Sequence, residues 1–325
     1  MDRVIIGGGF SALSLLIKER FAVKVITPRL PAYSSNQFKI NKFLSSNSSS
    51  LAKYLINNKN IMLHERTILG GHSAIWGGFI NISDINPNII NKFHNYGIDF
   101  IPLSFKKTGS VSNLQEIAQI QFNDEILNSS KIIKPDIYKL VTRIEIKKDF
   151  LKIYYADNTF DTSKKIDLCV GVVQLIEIFI NSGWIKEGDS ISMEEYESKF
   201  TFNMFKTKFD PNASCVIRYG FFRAINHAIG LQRKTMRDVP FMFVNQNFYA
   251  QKNKVVLRFN QGSFIGAIGN SFGKSIHYCN LKINDKKVNE FMSELSKNVK
   301  IHGAASISQS FPGPISNDIV NNIWQ

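Results

Sequence analysis

Residues 3 to 6, Arg-Val-Ile-Ile, run directly into Gly7-Gly8-Gly9, and the glycines run directly into FSALSLLIKER. A short aliphatic run reads as a buried strand, three glycines interrupt it, and the apolar spacing that follows is helical. Residues 22 to 27, AVKVIT, read as a second strand. Strand, glycine turn, helix and strand in so little chain predict a parallel βαβ unit with the helix laid on the sheet. Within it Gly7, Gly9 and Ala12 fit G-x-G-x-x-G/A in the place where that pattern has physical meaning. Gly7 permits the tight turn, Gly9 lets main chain approach a diphosphate, and Ala12 lets the helix lie close to the strand. Phe10 and Ser11 open the helix, whose N-terminus favours negative charge.

The unit departs from the usual pattern at the end of its second strand. A carboxylate is expected there to accept ribose hydroxyls, and this chain has Thr27-Pro28-Arg29. Thr27 offers a hydroxyl in its place, and Arg29 suits a phosphate.

With 325 residues, 44% of them hydrophobic, the chain can bury a sizeable core in two domains or one elaborated domain. The 40 basic and 26 acidic residues give a net charge of +14. That charge reads as a lysine-rich surface, or as attraction to an anionic substrate, an anionic membrane surface or nucleic acid. No RNA- or DNA-binding motif supports the last, so no nucleic-acid partner is expected, while peripheral membrane contact stays open. Cys169, Cys215 and Cys279 have neither CxxC spacing nor the pattern of a disulfide framework, which points to a reducing, cytoplasmic setting. The start MDR lacks the positive region of a secretion signal, and no apolar run has transmembrane length. His64, His94 and His227 have no companions at metal-ligand spacing, so no metal is expected. Nothing in the pattern fixes an oligomeric state.

Further along, residues 34 to 50 are polar and read as a loop, and a helix is predicted over 50 to 58. Residues 138 to 160 alternate around an Asp-Asn turn and predict an antiparallel meander. KIDLCVGVVQLIEIFINSG reads as a strand, Gly171, and a helix ending at Gly183. Residues 288 to 298 are an amphipathic helix in pattern, and 299 to 301 a strand leading to small residues and an FPGP turn. Residues 216 to 237 mix aromatics with Arg218, Arg223, Arg233, Lys234 and Arg237. They read as a helix with a core face and a basic outer face, or as a patch that draws a phosphate- or carboxylate-bearing substrate.

Residues 70 to 79 read GGHSAIWGGF. Together with the N-terminal GGGxxA turn, this GG-x-S-x-x-W-G-G segment resembles the glucose–methanol–choline family of FAD-dependent oxidoreductases. The resemblance implies that Gly70, Gly71, Gly77 and Gly78, with Trp76, lie against the cofactor, and that Ser73 donates to a phosphate or ribityl oxygen. Some relatives carry a flavin-linked histidine where this chain has Ile75, so the FAD would be non-covalent. In the meander, Val141 falls where the family's main chain reaches adenine. Gly171 falls at its close approach to the dinucleotide, with Val170 where alanine is common. ASISQSFPGPISNDIV is similar to the family's C-terminal segment and brings Ser306 and Pro312 to the cofactor. The aspartate usual just before that segment is missing, and Gly303 or Ala304 takes its place.

The fold implied is α/β. A Rossmann-like FAD-binding domain would be assembled from residues 1–79, 135–185 and 276–325. An antiparallel-sheet, α+β substrate domain would be inserted as residues 80–134 and 186–275. The implied reaction is oxidation of a CH–OH group of a sugar, polyol or similar alcohol. His277 would be the general base, its imidazole titrating near working pH, and Asn317 would hold the alcohol oxygen. Plainer roles exist for both: a satisfied strand histidine, and a helix N-cap in Ser-Asn-Asp. His302 is a rival base, and His72 reads as a capping or exposed histidine. The substrate would be a small molecule, anionic if the basic patch serves it, such as a nucleotide sugar or acidic glycan. Two other readings compete. One is a flavin-dependent sugar mutase or isomerase without net redox chemistry. The other is a degenerate Rossmann-type protein that binds partners or anionic polymers without catalysis, which the absent ribose carboxylate, the short chain and the +14 charge favour.

Overall fold

The computed structural model describes residues 1–28, 69–74, 78–102, 117–201, 216–217, 245–260, 263–265, 274–283, 297–307 and 315–325. The chain begins β1 (Arg3–Ile6), α1 (Phe10–Lys18), β2 (Lys24–Thr27). There follow β3 (Phe79–Asn81), α2 (Pro87–His94), β4 (Ile98–Pro102), β5 (Ile117–Phe122) and β6 (Glu125–Ile126). Next come β7 (Ile137–Tyr138), β8 (Val141–Ile146), β9 (Leu151–Tyr155), β10 (Phe160–Ser163), β11 (Lys165–Leu168) and α3 (Val172–Asn181). The remainder holds β12 (Ser190–Thr201), β13 (Val216–Ile217), β14 (Asn245–Asn260), β15 (Ser263–Ile265), β16 (Lys274–Ile283), β17 (Val299–Ile301) and α4 (Ile315–Trp324).

The fold class is α/β. The central sheet has the order β17-β11-β1-β2-β7, and every pair in it is parallel. Period-two alternation divides its side chains between two cores. Val4, Ile6, Ile166, Leu168 and Val299 pack with Val172, Leu175, Ile176 and Phe179 of α3. Ile5 and Val25 pack with Ala12, Leu13, Leu16 and Ile17 of α1 and with Val320 and Ile323 of α4. The helices thus cover opposite faces, and each wholly buried aliphatic side chain contributes about 1.5–3 kcal/mol. From β1 the chain proceeds to β2 on one side, and β11 lies on the other. The order in which strands are added therefore reverses between β1 and β11, the position at which open α/β sheets form a crevice.

Three antiparallel sheets surround this core: the meander β10-β9-β8, the sheet β3-β5-β4 with β6 on β5, and the sheet β13-β14-β12-β16 with β15 on β14. The meander turns at Asn158, whose φ of 63° is the left-handed geometry an Asp-Asn turn supplies. β16 pairs with β12 throughout its length, so residues 276–283 belong to an antiparallel sheet.

Two elements differ from expectation. The helix predicted through Arg20 stops at Lys18. Arg20 and Phe21 turn left-handed (φ 55° and 56°), and the Phe21 N–H closes onto the Leu16 carbonyl at 2.7 Å, ending the helix without a glycine. Residues 216 and 217, read as the start of a helix, form strand β13 against β14. Both are β-branched, and an available strand edge outweighs helical periodicity there. The rest of that basic segment, the loop at 34–50, the helix predicted at 50–58 and residues 288–296 of the helix predicted at 288–298 lie outside the described residues, and residues 297 and 298 form a turn. Among the described residues no helix is long and apolar enough to cross a membrane.

Candidate functional site

Because β1, β2, β11 and β17 are parallel, their carboxyl ends share one edge. The ladder runs one residue past three of them: Gly7 N–H donates to Ile26 O (2.9 Å), Cys169 N–H to Ile6 O (2.8 Å) and His302 N–H to Leu168 O (2.8 Å). Gly7 has φ +121°, and a Cβ there would stand 2.5 Å from the Cys169 carbonyl. No other residue type fits the point where β1 and β11 separate. Helices α1 and α3 begin immediately beyond, with Gly9 and Gly171 as N-caps and no side-chain cap on either. Two helix ends, each with main-chain N–H groups that no side chain caps, meet at the switch point, and both favour an anion.

The second glycine turn abuts the first. Gly70 N–H donates to Gly8 O at 2.9 Å, and a Cβ on Gly71 would lie 3.5 Å from Gly9 Cα. Residues 71 to 74 form a 3-10 turn. Ser73 locks it: its hydroxyl donates to Gly70 O (2.6 Å) and accepts the Ser129 N–H (3.0 Å), with the Ser129 hydroxyl 2.7 Å away. The Ser73 hydroxyl, expected to reach the cofactor, is thus engaged within the fold. Gly78 lies further on, its carbonyl accepting Ile120 N–H at 2.7 Å on β5. Beside the turns, Thr27 at the end of β2 is buried, and its Oγ1 has no hydrogen-bond partner among the described residues. That hydroxyl stands beside Gly8, 3.0 Å from where its Cβ would be. A buried, unpaired hydroxyl costs about 1–3 kcal/mol and is a place for a ligand's polar group. Glycine cradle, two uncapped helix ends and an orphaned hydroxyl fit a dinucleotide.

The other expected residues divide. Phe10 and Ala12 are buried in the α1 core, and Val141 is buried in the α3 core. Ser11 faces Gly303: that glycine has φ +81°, and a Cβ on it would strike Ser11 Oγ at 2.3 Å. The turn after β17 thereby rests on the first turn of α1. Ser306 braces it, donating to Gly303 O (3.0 Å) and accepting from Asn322 Nδ2 (2.6 Å). Gly171 is exposed. Asn317 lies inside α4 and is buried; its side chain donates to Asn81 O (2.6 Å) and accepts Asn81 N–H (2.8 Å). That clasp fastens α4 to β3 and uses the amide's oxygen and one of its N–H groups. His277 stands on β16 opposite Tyr196. Four residues along the same strand, about 13 Å, Leu281 packs on the α3 core, as does Ala304. The His277 side chain, Arg29, Trp76, Gly77 and Pro312 lie outside the described residues.

One polar network was not read from the sequence. Asp167 of β11 is buried, and it binds Arg3 Nε through Oδ2 (2.6 Å) and lies 2.8 Å from His302 Nε2 through Oδ1. Arg3 also reaches Glu19 beyond α1, at 3.2 Å. Burial pushes the Asp167 pKa up, but the hydrogen bonds and charges of His302 and Arg3 outweigh burial and hold it below the usual carboxylate value. Three of the central strands are cross-linked this way just below the crevice. A charged residue inside the apolar run Ile166-Asp167-Leu168 was the available signal. Cys169, next to it, is fully enclosed; burial, with Asp167's charge, pushes its thiol well above its ordinary pKa, which leaves it unreactive. Among the described residues no group of three His, Cys, Asp or Glu side chains is placed to hold a metal ion.

No protein-family model matches the chain, and no curated protein matches it in sequence. Solved structures with partial similarity include the tetracycline destructase Tet(51), at 11% identity and TM-score 0.35 over 100% of this chain and 80% of that one. BexE matches at 11% identity and TM-score 0.40, over 99% of this chain and 60% of its own. The amino acid oxidase NikD matches at 10% identity and TM-score 0.37, over 99% and 93%. Superpositions this partial identify no shared activity.

Proposed function

We propose that the protein is an FAD-dependent oxidoreductase acting on a CH–OH group of a sugar, polyol or related alcohol, of the glucose–methanol–choline type that its glycine motifs resemble. The observation that carries the cofactor reading is the crevice between β1 and β11. There two glycine-capped helices start side by side, the turns at Gly7–Gly9 and Gly70–Gly71 touch, and Thr27 keeps an unpaired hydroxyl. Gly9, Ser11 and Gly171 would hold the diphosphate through main-chain N–H groups, Gly7 would allow its close approach, and Thr27 would meet a ribose or phosphate oxygen. FAD, when bound, supplies the two-electron acceptor for alcohol oxidation. The chain's part is to orient the alcohol and to take its hydroxyl proton, a role we assign to His277. The division into an FAD-binding part around the parallel sheet and a substrate part on the antiparallel sheets goes with this reading, with β16 joining the latter.

Anaerobic mixing with candidate sugars and polyols tests the proposal. The FAD-loaded protein should bleach with one of them, and His277→Ala should keep its flavin while slowing bleaching by ~100-fold or more. Flavin that binds but is reduced by no alcohol would replace this activity. A second reading, a Rossmann-type binding protein without catalysis, is favoured by one observation: Ser73 and Asn317 direct polar atoms to their own main chain. Protein that stays colourless after incubation with FAD would select it.

A further inference from the structure

The exposed large hydrophobic side chains among the described residues are Tyr138, Ile146, Phe150 and Phe160; the last three lie on the β8–β10 meander, and Tyr138 lies on β7 of the central sheet. Phe160 and Tyr138 are more than half exposed, at 52% and 53%. Strand alternation puts Phe150 and Phe160 on the outer face, while Ile146, opposite Leu151, belongs to the core-facing set. Val141, Ile144, Leu151, Ile153 and Tyr155 point into the α3 core. Arg143, Tyr154 and Phe160 point outward and stand in line across β8, β9 and β10. Lys152 and Glu145 form the next row, and Lys147 and Phe150 close the hairpin end. The outer face therefore carries three rings and three cations against one carboxylate, Glu145, which Lys147 already holds at 2.5 Å. The cations lie on the rings: Arg143 is 3.8 Å from the Tyr154 centroid and Lys152 is 3.6 Å from that of Phe160.

Cross-strand stacking accounts for Tyr154. It does not account for Phe150 and Phe160 standing so far out of a folded surface. We propose that the outer face of the β8–β10 meander docks the protein on an anionic lipid surface. Aromatic rings and long cationic side chains both suit the headgroup layer, the rings at its apolar side and the charges at the phosphates. The net charge of +14 gives the whole molecule the complementary sign. Single-stranded nucleic acid fits less well, because stacking bases need open ring faces and Tyr154 and Phe160 already carry cations on theirs. The proposal is independent of what the crevice binds.

The test is sedimentation of the full chain with vesicles of phosphatidylcholine alone and of phosphatidylcholine with phosphatidylglycerol. Binding is expected to the anionic vesicles, weakening with salt. The pair Arg143→Gln and Lys152→Gln should lower partitioning about twentyfold, since each basic side chain at an anionic surface contributes a several-fold factor. Phe150→Ser with Phe160→Ser should lower it similarly, and Lys186→Gln, at an exposed position beyond α3, which packs on the meander's core-facing side, should leave it unchanged. Phe150→Ser alone, at the exposed hairpin end, serves as the deciding variant should a double variant fail to fold. No binding to anionic vesicles overturns the proposal. So does binding indifferent to these substitutions, or binding of a single-stranded oligonucleotide without binding of vesicles.

Discussion

Helix α2 and helices α1 and α3 begin in opposite ways. At α2, Asn86 accepts the Asn88 N–H at 2.9 Å and Pro87 occupies the first turn, so the helix end is closed by its own sequence. At α1 and α3 the N-caps are Gly9 and Gly171, which have no side chain to offer. The closed end belongs to a helix between strands of the antiparallel β3-β5-β4 sheet, and the two open ends follow strands of the parallel sheet at its carboxyl edge. The comparison separates a helix start that serves stability from starts left available to a ligand.

Gly7→Ala should break the open site most severely. The new Cβ meets the Cys169 carbonyl at 2.5 Å in a left-handed backbone, so stability should fall by about 3 kcal/mol and flavin should be lost, as read by urea unfolding and visible absorbance. Asp167→Asn should cost about 2 kcal/mol at neutral pH, because Arg3 and His302 lose a buried partner. The sign of its pH dependence is definite. A carboxylate with a depressed folded pKa contributes stability above its unfolded value, about 3.9, and loses it as pH falls through the lower folded value. The variant's acid unfolding should therefore be shallower than the parent's. Asn86→Ala should cost about 1 kcal/mol and leave flavin binding untouched. Gly171→Ser gives the smallest stability change. Gly171 has φ −66° and is exposed, so a serine cap should gain a few tenths of a kcal/mol while weakening flavin binding several-fold. Equal effects of Asn86→Ala and Gly171→Ser on flavin affinity would erase the distinction between closed and open helix ends.

Local pattern carried much of this fold. The βαβ unit, the meander with its turn at Asn158 and the strand–Gly171–helix run were legible because each depends on neighbouring residues. What escaped depends on distant ones. Arg20 and Phe21 end α1 by adopting left-handed geometry that propensity argues against. Asn317 reads as a cap or a site residue, yet it clasps Asn81 from 236 positions away. Asp167, Arg3 and His302 meet only because β1, β11 and β17 are adjacent in the sheet. Sequence proximity says nothing of that order, and so the site's glycines were visible while its supporting charges were not.

The most direct test of the open crevice is equilibrium binding of FAD to the purified chain, measured by ultrafiltration or calorimetry beside Gly7→Ala. Stoichiometric binding by the parent chain and none by the variant is the predicted result. A parent chain that leaves FAD wholly in the filtrate would contradict the account.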